Sequence, residues 1–285
     1  MEFHGSERLQ LSTLFEGEAG GLIPKAILEG NVGRAFADRA VPQFAVLELP
    51  QANVAILGGD STHHLAREYL NSIPRFSSIF FTSADFAPLI QEIHAHKLIE
   101  FARYAFSAES LDLDHLQALK DTVPDPIRIE KIDLDLARQL CKRKNNFADV
   151  HMLNFDSPED FVKLGVGFCA LENDTIVCVA SSFVACEAGI EIQIDTRRSH
   201  RNRGIATPVA AYLIAYCLER GLTPGWDAAT DVSARFAKKL GYTQTAEYKM
   251  LAYTGFRGLV MLRNLVQRIK PYIQRISKHH RPLQQ

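Results

Sequence analysis

Apolar and polar residues alternate regularly in one segment of the C-terminal half. The sequence IEIQIDT, residues 190–196, has isoleucine at every second position and Glu, Gln or Asp between them. A period of two predicts a β-strand with one apolar face and one acidic, polar face. A short basic loop follows, and a helix is then predicted from the spacing of Val209, Leu213, Ile214 and Leu218, ending near Gly221.

Shorter patterns predict the elements around this strand. Two helices and two further strands are expected at residues 134–144, 158–164, 165–171 and 175–184. Turn-like sequences at 172–174 and 187–189 join the three strands into an antiparallel meander. The helix after Gly204 leads to GWDA, residues 225–228. Because parallel neighbours need such a helical crossover, we expect the last two strands to run parallel.

The first 125 residues mix strand-like and helix-like segments. Strands are predicted at 44–49, 54–57 and 79–82, and helices at 63–70 and 86–96. This alternation predicts a three-layer α/β subdomain. The sequence TVPDP, at 122–126, predicts a linker, since two prolines disfavour regular structure. We therefore expect an N-terminal domain at 1–125, a second domain at 126–255 and a tail at 256–285.

The composition is typical of a globular protein. The chain has 285 residues, of which 47% are hydrophobic and 23% charged, enough for one large or two ordinary domains. A net charge of −1 gives no reason to expect a nucleic-acid partner. No apolar run is long enough to span a bilayer, and the first ten residues are unlike a signal peptide.

The cysteines and histidines suggest no metal. Five cysteines, an odd number without CxxC spacing, predict buried, reduced thiols in a cytoplasmic protein. The ten histidines do not combine with them at metal-ligand spacing. We therefore expect a cytoplasmic protein without a metal cofactor.

The loop between the strand at 190–196 and the next helix is strongly basic. It contains four arginines, Arg197, Arg198, Arg201 and Arg203. Backbone N–H groups at a helix N-terminus are unpaired and carry about half a positive charge. Gly204 has no Cβ and lets the backbone approach an anion closely. Strand, basic loop and helix N-terminus together predict a site for a pyrophosphate.

Three positions of this loop match the acyl-CoA motif of a known superfamily. Arg201, Gly204 and Ala206 correspond to the pattern Gln/Arg-x-x-Gly-x-Gly/Ala, and SARFAKKLGY, at 233–242, follows at the expected distance. At these residues the chain resembles the GNAT superfamily of N-acetyltransferases. The resemblance implies an α/β fold with a mixed sheet in the C-terminal half, preceded by a smaller α/β N-terminal domain.

Three segments are similar to a narrower branch, which includes zwittermicin A resistance acetyltransferases. They are EIQIDT, PGWD and KKLGY, at 191–196, 224–227 and 238–242. The likeness implies transfer of an acetyl group to a primary amine of a small molecule, an antibiotic or a metabolite, by direct attack. Two alternatives stay open: acetylation of a protein or peptide amine, and a non-catalytic acyl-CoA sensor. The oligomeric state is expected to be a monomer or a homodimer.

The resemblance also implies acetyl-CoA as the cosubstrate and the residues that hold it. The backbone of Ile194, Asp195 and Thr196 is expected to pair with the pantetheine arm as if the arm were another strand. The pyrophosphate is expected on a loop made of Arg201, Asn202, Arg203, Gly204, Ile205, Ala206 and Thr207.

A general base is suggested by the polar face of the strand at 190–196. The Glu191 carboxylate could deprotonate the amine, directly or through a water. It could instead be satisfied by a neighbouring helix, and a one-residue shift of register would turn it to the other face. Asp149 and His151 are rivals for the role. Asp227 is expected to contact the acceptor amine or an arginine of the basic loop.

The general acid is not evident. Many GNAT enzymes have a tyrosine four residues beyond the serine of the final helix, and here that position is Ala237. Ser233 could relay a proton through water, or simply cap its helix. Tyr242 and Tyr248 are alternatives that we expect to be mainly packing residues.

The tail, residues 256–285, is basic and amphipathic. It has seven Lys or Arg, no Asp or Glu, and an apolar stripe interrupted by Pro271. Such a segment could lie on an anionic membrane or dock on the catalytic domain. Docking is favoured, because Pro271 divides the stripe into two short helices that need tertiary contacts.

Overall fold

A computed structural model describes residues 1–17, 19–142 and 147–263 of the chain. Within these ranges the polypeptide forms one mixed β-sheet covered by helices. The strands are β1 (Glu2–Phe3), β2 (Arg34–Ala37), β3 (Phe44–Leu49), β4 (Val54–Gly59), β5 (Ser77–Phe81), β6 (Leu98–Ser107), β7 (Arg128–Lys131), β8 (Gly167–Glu172), β9 (Thr175–Cys186), β10 (Gly189–Thr196), β11 (Thr223–Ala228) and β12 (Thr243–Tyr253). The α-helices with defined bounds are α1 (Ile23–Leu28), α2 (His64–Ser72), α3 (Phe86–His94), α4 (Leu113–Lys120), α5 (Leu134–Leu140), α6 (Pro158–Leu164), α7 (Ala206–Leu218) and α8 (Asp231–Leu240).

The sheet consists of two halves with the same order of elements. Its strand order is β1-β2-β3-β4-β5-β12-β6-β11-β10-β9-β8-β7. In the first half β2, β3 and β4 are antiparallel, α2 crosses to β5 parallel to β4, and α3 leads to β6. In the second half β8, β9 and β10 are antiparallel, α7 crosses to β11 parallel to β10, and α8 leads to β12.

Each half contributes its last strand to the other half. β12 pairs with β5 of the first half, and β6 pairs with β11 of the second. β6 and β12 also pair with each other at the centre of the sheet. The sheet is therefore continuous, and a strand from residues 1–125 borders the pair β10 and β11. The domain boundaries at 125 and 255 stay a prediction.

Helices pack on both faces of the sheet and bury its apolar side chains. Along β3, Ala45 and Leu47 enter the core beneath α1, whereas Phe44 and Val46 enter the core beneath α2 and α3. This alternation is what a strand with two buried faces requires. The mixed α/β fold and the covered sheet of the N-terminal region agree with the sequence expectation.

Most predicted elements are present, with differences at their ends. The meander of β8, β9 and β10 and the parallel pairing of β10 with β11 are confirmed. The helix predicted at 86–96 ends at His94, because Ala95 adopts a φ of +30° and a 3-10 turn follows. The helix predicted at 134–144 ends at Leu140, and residues 143–146 lie outside the described part of the chain.

The pair β10 and β11 opens after three residues. The pairs are Gly189↔Thr223, Ile190↔Pro224 and Glu191↔Gly225. A β-bulge between Glu191 and Ile192 changes the register of β10 with β9 at the same place. β11 then pairs with β6 from Trp226 onward. The two parallel strands therefore separate beyond Glu191 and leave a gap beside the C-terminal end of β10.

The first residues of the predicted tail contact the body of the protein. Phe256 lies under the Arg75 guanidinium, 4.7 Å from it, and near the ring of Phe76. Arg263 donates to the Glu100 carbonyl at 3.0 Å and covers the ring of Phe101. Residues 264–285, including Pro271, lie outside the described residues, so docking of the whole tail stays a prediction.

We expect deletion of residues 256–285 to lower the melting temperature by about 2–4 °C, since lost ring and guanidinium contacts near the surface are worth about 1 kcal/mol. The affinity for acetyl-CoA should not change. Calorimetry and a binding titration of both proteins measure the two effects. Salt-sensitive sedimentation of the full chain with anionic vesicles, lost on deletion, would contradict docking and favour the membrane.

Candidate active site

A cleft of about 780 Å³ lies at the gap between β10 and β11. It is bounded by the end of β10, the basic loop, the start of α7 and the first turns of α8. Its lining includes the residues predicted to hold the cofactor, Ile194, Asp195, Thr196, Arg201, Asn202, Gly204, Ile205, Ala206 and Thr207. The structure brings these residues together around one space, and their role in binding stays a prediction.

The loop at the edge of this cleft has the geometry of an anion cradle. Gly204 has a φ of +80°, and a Cβ built there would meet no atom within 4 Å. The backbone conformation requires glycine, while the space in front of it is open. Arg201 donates to the Thr196 carbonyl at 3.1 Å, and Lys239 donates to the Thr207 hydroxyl at 2.9 Å. The helix N-terminus and Arg201 suit a diphosphate, and Lys239 lies next to Thr207 without lining the cleft itself.

Not every arginine of the basic loop faces the cleft. Arg203, predicted to bind the cofactor, is absent from its lining and forms an ion pair with Glu172 at 2.6 Å. Hydrogen bonds from Arg203 and His200 lower the pKa of Glu172 to about 2. Arg197 donates to the Ile176 carbonyl at 3.1 Å and covers the ring of Phe147. Arg198 is absent from the lining as well, so within this fully described loop Arg201 is the one arginine that lines the cleft.

A second pocket, of about 540 Å³, adjoins the cleft at Trp226. It is lined by residues from both halves of the sheet, with Gly21, Leu22 and the end of β6 from the first and Glu191, β11 and the start of β12 from the second. Trp226 itself is buried against Phe236 and Tyr242. The cleft and the second pocket therefore lie on either side of Trp226, at the opening of the sheet.

Glu191 lies at the buried end of this second pocket and is 5% exposed. Its Oε2 accepts a hydrogen bond from the Leu22 N–H at 3.1 Å, and the carboxylate also accepts from the Asp227 backbone N–H. Burial raises the pKa of Glu191 to about 8, and the nearby Asp227 charge adds to the increase. The side chain thus holds a proton at neutral pH and is fixed by two backbone donors.

Two glycines enclose the Glu191 carboxylate. A Cβ on Gly21 would collide with Oε2, and one on Gly225 would lie 2.7 Å from it. Gly21 also has a φ of +59° and follows Gly20, whose N–H donates to the Tyr248 hydroxyl at 3.1 Å. A segment of the first half therefore fits against a carboxylate of the second, with no room for a side chain between them.

Asp227 is held by a buried network next to Glu191. Arg103 of β6 forms an ion pair with it at 3.1 Å, and the Tyr248 hydroxyl of β12 donates to its carboxylate. Burial raises the pKa of Asp227, and Arg103 and Tyr248 oppose that increase. The expected pairing of Asp227 with an arginine of the basic loop is wrong, because β6 inserts beside β11 and brings Arg103 to this position.

Of the residues considered for the general acid, Ser233 lines the cleft, whereas Ala237 and Tyr242 are buried in the core. Ser233 lies inside α8, lines the cleft and accepts a hydrogen bond from Trp226 Nε1 at 3.2 Å. It does not cap the helix; the cap is Thr230, whose hydroxyl accepts from the Ser233 N–H. Ala237 is buried in the core. Tyr242 is buried and donates to the Pro224 carbonyl at 2.8 Å, which agrees with a packing role.

The rival general bases are remote from the second pocket or not described. His151 is wholly buried and is not among the residues that line that pocket. Its Nδ1 lies 2.7 Å from the Ser181 hydroxyl. The placement of the Asp149 side chain lies outside the described part of the structure. Of the three candidates, Glu191 is the one that the structure places in a pocket large enough for an acceptor.

Several residues of the site carry no recognisable sequence signal. Leu22 contributes a backbone N–H, and Arg103 acts across the sheet on Asp227. Tyr248, which was expected to be mainly a packing residue, also donates to Asp227 and accepts from the Gly20 N–H. They come from positions far from the motif at 190–206 in the chain. The pair Gly20–Gly21 is a signal in the sequence for an unusual backbone, but its partner cannot be inferred without the exchange of β6 and β12.

Other expectations concern thiols, metals and membranes. All five cysteines are described and none forms a disulfide; four are buried, but Cys141 is exposed. In the described ranges no group of three His, Cys, Asp or Glu side chains could hold a metal ion. Over the same ranges, no helix combines the length and the apolar character needed to cross a membrane.

Comparisons with known proteins agree with this geometry. The chain is 24% identical over 258 residues to the uncharacterized N-acetyltransferase YdfB of Bacillus subtilis (strain 168), covering 86% of this chain and 95% of that protein. A GCN5-related N-acetyltransferase-like protein from Streptococcus suis 89/1591 has a crystal structure that matches with a TM-score of 0.75 and 30% identity, over 87% of this chain and 98% of that one.

The fold and the family are also found more widely. A GCN5-related N-acetyltransferase from Kribbella flavida matches with a TM-score of 0.56 and 14% identity, over 89% of this chain and 97% of that one. At that identity the likeness concerns the fold. The sequence profile of the GNAT acetyltransferase family matches residues 12–251 and so spans both halves of the sheet. The chain belongs to the GNAT acetyltransferase family.

Proposed function

We propose that the protein is a cytoplasmic, acetyl-CoA-dependent N-acetyltransferase that acetylates a primary amine of a small molecule, an antibiotic or a metabolite. One observation carries the proposal: a cleft at the opening between β10 and β11, beside the basic loop, adjoins a pocket that contains a buried carboxylate. The cleft suits a nucleotide diphosphate, and the pocket suits an amine. Both meet at Trp226.

Acetyl-CoA fits the residues of the cleft. The open space in front of Gly204, the start of α7 and the Arg201 guanidinium would hold the diphosphate. The unpaired edge of β10 after Glu191 offers backbone groups to the amides of the pantetheine arm. When bound, acetyl-CoA supplies an activated acetyl thioester. The chain's residues position it and remove a proton from the acceptor.

Glu191 is the proposed general base. Its pKa of about 8 makes it a stronger base than an exposed glutamate, once it has lost its proton. Its carboxylate is oriented by the N–H groups of Leu22 and Asp227. The ammonium of the acceptor would lose its proton to Glu191, directly or through a water. The neutral amine can then attack at the opening of the sheet, with much of the rate gained from proximity.

Ser233 is the residue of α8 that we propose as a relay for the proton of the leaving thiolate. It lines the cleft beside Trp226, whose Nε1–H donates to its hydroxyl. Accepting this bond leaves its own O–H free to point into the cleft. A water bound there could pass a proton to the departing thiolate. Ala237 leaves no side-chain acid one turn further along the helix.

The chemistry of the second pocket supports a small, cationic acceptor. Its volume of about 540 Å³ is within the range of small-molecule sites. Among the described residues that line it there are carboxylates and hydroxyls but no Lys, Arg or His, namely Glu109, Glu191, Asp227, Ser107, Ser110, Thr223, Thr243 and Thr245. The similarity of three segments to zwittermicin A resistance acetyltransferases also favours a small molecule over a protein.

The test is a coupled assay of binding and turnover. Acetyl-CoA should raise the melting temperature, by about 2.7 kcal/mol of stability at a hundred times its Kd. Free CoA should then appear with at least one member of a panel of amines, amino sugars and lysine peptides. Turnover with peptides alone would establish the alternative acceptor. Binding without turnover on a broad panel would support a sensor, and no binding at all would refute the proposal.

Gly204→Asp should weaken acetyl-CoA binding by tenfold or more. The substitution places a side chain at a φ of +80° and a negative charge where the diphosphate must approach. Gly221→Asp is a matched control, since its φ is +69° and a Cβ there also meets no atom within 4 Å. It lies beyond the other end of α7. Isothermal titration compares the two, and equal Kd values would contradict the placement of the diphosphate.

A further inference from the structure

A buried histidine beside the cleft has an unsatisfied ring nitrogen. His151 lies on the 3-10 helix Asp149–Met152 and has no exposed surface. Its Nδ1 is 2.7 Å from the Ser181 hydroxyl, but its Nε2 has no hydrogen-bond partner. Leaving such an atom unpaired in a protein interior costs about 1–3 kcal/mol. The position of the ring therefore leaves Nε2 without the hydrogen bond that would offset the cost of its burial.

The unsatisfied nitrogen faces a carboxylate that opens to the cleft. His151 Nε2 lies 3.4 Å from Asp195 Oδ2. Asp195 belongs to β10, lines the proposed cofactor cleft, and has a side chain that is 38% exposed. Ser181, His151 and Asp195 thus form a line from the core to the cleft. Ser181 is wholly buried, so this set is not a nucleophilic triad.

The two neighbours of the ring together favour one tautomer of the neutral imidazole. If Ser181 donates to Nδ1, the neutral imidazole carries its proton on Nε2, facing Asp195. The other tautomer would turn a lone pair of Nε2 toward the carboxylate, which is repulsive. The favourable arrangement is therefore Ser181 to His151 to Asp195. At 3.4 Å the last link is long, and a ligand that draws Asp195 into line would complete it.

We propose that His151 positions Asp195 to recognise the pantetheine arm of acetyl-CoA. His151 donates Nε2–H to one carboxylate oxygen, and the other oxygen accepts an N–H or O–H from the arm. The arm carries amide and hydroxyl donors, whereas the nucleotide end carries phosphates, which a carboxylate repels. The contact therefore distinguishes the arm from the nucleotide. This inference rests on the proposed function, because it assumes that acetyl-CoA occupies the cleft.

The experiment compares two ligands that differ by the arm. Acetyl-CoA contains it, and adenosine 3′,5′-bisphosphate retains only the nucleotide end. Kd values for both are measured by titration calorimetry for the wild-type protein and its variants. Asp195→Ala should weaken acetyl-CoA about tenfold, equivalent to about 1.4 kcal/mol, and leave adenosine 3′,5′-bisphosphate unchanged or slightly tighter. A disturbance of the fold would weaken both ligands.

Substitutions of the histidine test the positioning role. His151→Leu has no donor and should repeat the selective loss of acetyl-CoA affinity. His151→Gln keeps an N–H for Asp195 and an acceptor for Ser181, and should restore affinity to within about threefold. The double variant His151→Leu with Asp195→Ala should be no weaker than Asp195→Ala alone, since the two side chains act as one unit. The Asp195 side chain is partly exposed to solvent, so Asp195→Ala should fold. It therefore remains informative if His151→Leu fails to fold.

The outcomes separate this inference from the proposed function. Equal losses for both ligands, or unchanged acetyl-CoA affinity in Asp195→Ala, would overturn the inference while acetyl-CoA binding itself stands. Additive losses in the double variant would overturn the link between His151 and Asp195. Failure of the wild-type protein to bind acetyl-CoA would refute the proposed function, and the inference with it.

Discussion

Glu191→Gln should lower kcat for amine acetylation by about 10²–10³-fold at neutral pH, within the usual range for loss of a general base. The amide has the same shape as the carboxyl group but cannot take up the amine proton. The Kd for acetyl-CoA should stay within about twofold, because Glu191 lines the second pocket and not the cofactor cleft. Steady-state kinetics and calorimetry of the same preparations measure both quantities.

The raised pKa of Glu191 also predicts how kcat/KM changes with pH. With a pKa of about 8, Glu191 is mostly protonated at pH 7, so kcat/KM of the wild-type protein should rise with pH and level off above about 8. The variant should lack this step. Its deficit should therefore grow up to about pH 8 and shrink only above that pH, where Glu191 is already ionised and more of the amine becomes neutral. A wild-type rate for Glu191→Gln at neutral pH would move the role to Asp149 or to bulk water.

Stability should change with pH in the opposite direction. The pKa of Glu191 is higher in the folded state than the 4.5 of a free side chain, so the native protein binds this proton more tightly than the unfolded chain. Its stabilising effect is complete below pH 4.5 and is lost as pH rises toward 8. The melting temperature of Glu191→Gln should therefore exceed that of the wild type at pH 9 by more than at pH 6. Glu68→Gln, an exposed change on α2, is the control.

The sequence allowed the strand, loop and helix around the cleft to be predicted, while the binding role of their residues stays a prediction. Strand, basic loop and helix at 190–218 are contiguous, so their local periodicity fixes their relation in space. The lining of the cleft includes nine of the predicted residues, and the parallel course of β10 and β11 follows from the crossover helix. The ion pair of Arg203 with Glu172 could not be foreseen, because sequence shows charges but not their partners, and Glu172 lies on a different strand.

The acceptor half could not be predicted from the sequence. Glu191 was selected from alternation alone, but its environment depends on Gly21 and Leu22, about 170 positions away. Arg103 reaches Asp227 only because β6 and β12 are exchanged between the halves. Such an exchange leaves no periodic signal, since each strand keeps the same pattern whichever neighbour it pairs with. Contacts across a sheet depend on topology, and local propensity carries no information on it.

Gly21→Ala should abolish most of the activity, with a fall in kcat of about 10²-fold or more. The new methyl group would collide with Oε2 of Glu191, and displacing a catalytic group by about 1 Å costs activity on this scale. A φ of +59° adds strain of about 1–2 kcal/mol for any L-residue other than glycine. The melting temperature should therefore also fall, by several degrees.

Gly5→Ala is the matched control, because it introduces the backbone strain of Gly21→Ala without a collision of the new methyl group. Gly5 has a φ of +51°, close to that of Gly21, but a Cβ built there meets nothing within 4 Å, and Gly5 lines neither pocket. This variant should lose about 1–2 kcal/mol of stability and keep the wild-type kcat. Adding Gly21→Ala to Glu191→Gln should lower kcat much less than it does in the wild-type background, because the displaced group no longer accepts a proton. Full additivity of the two losses would mean that Gly21 acts on the substrate or the cofactor instead of on Glu191. A normal kcat in Gly21→Ala would contradict the placement of the Glu191 carboxylate against the N-terminal half.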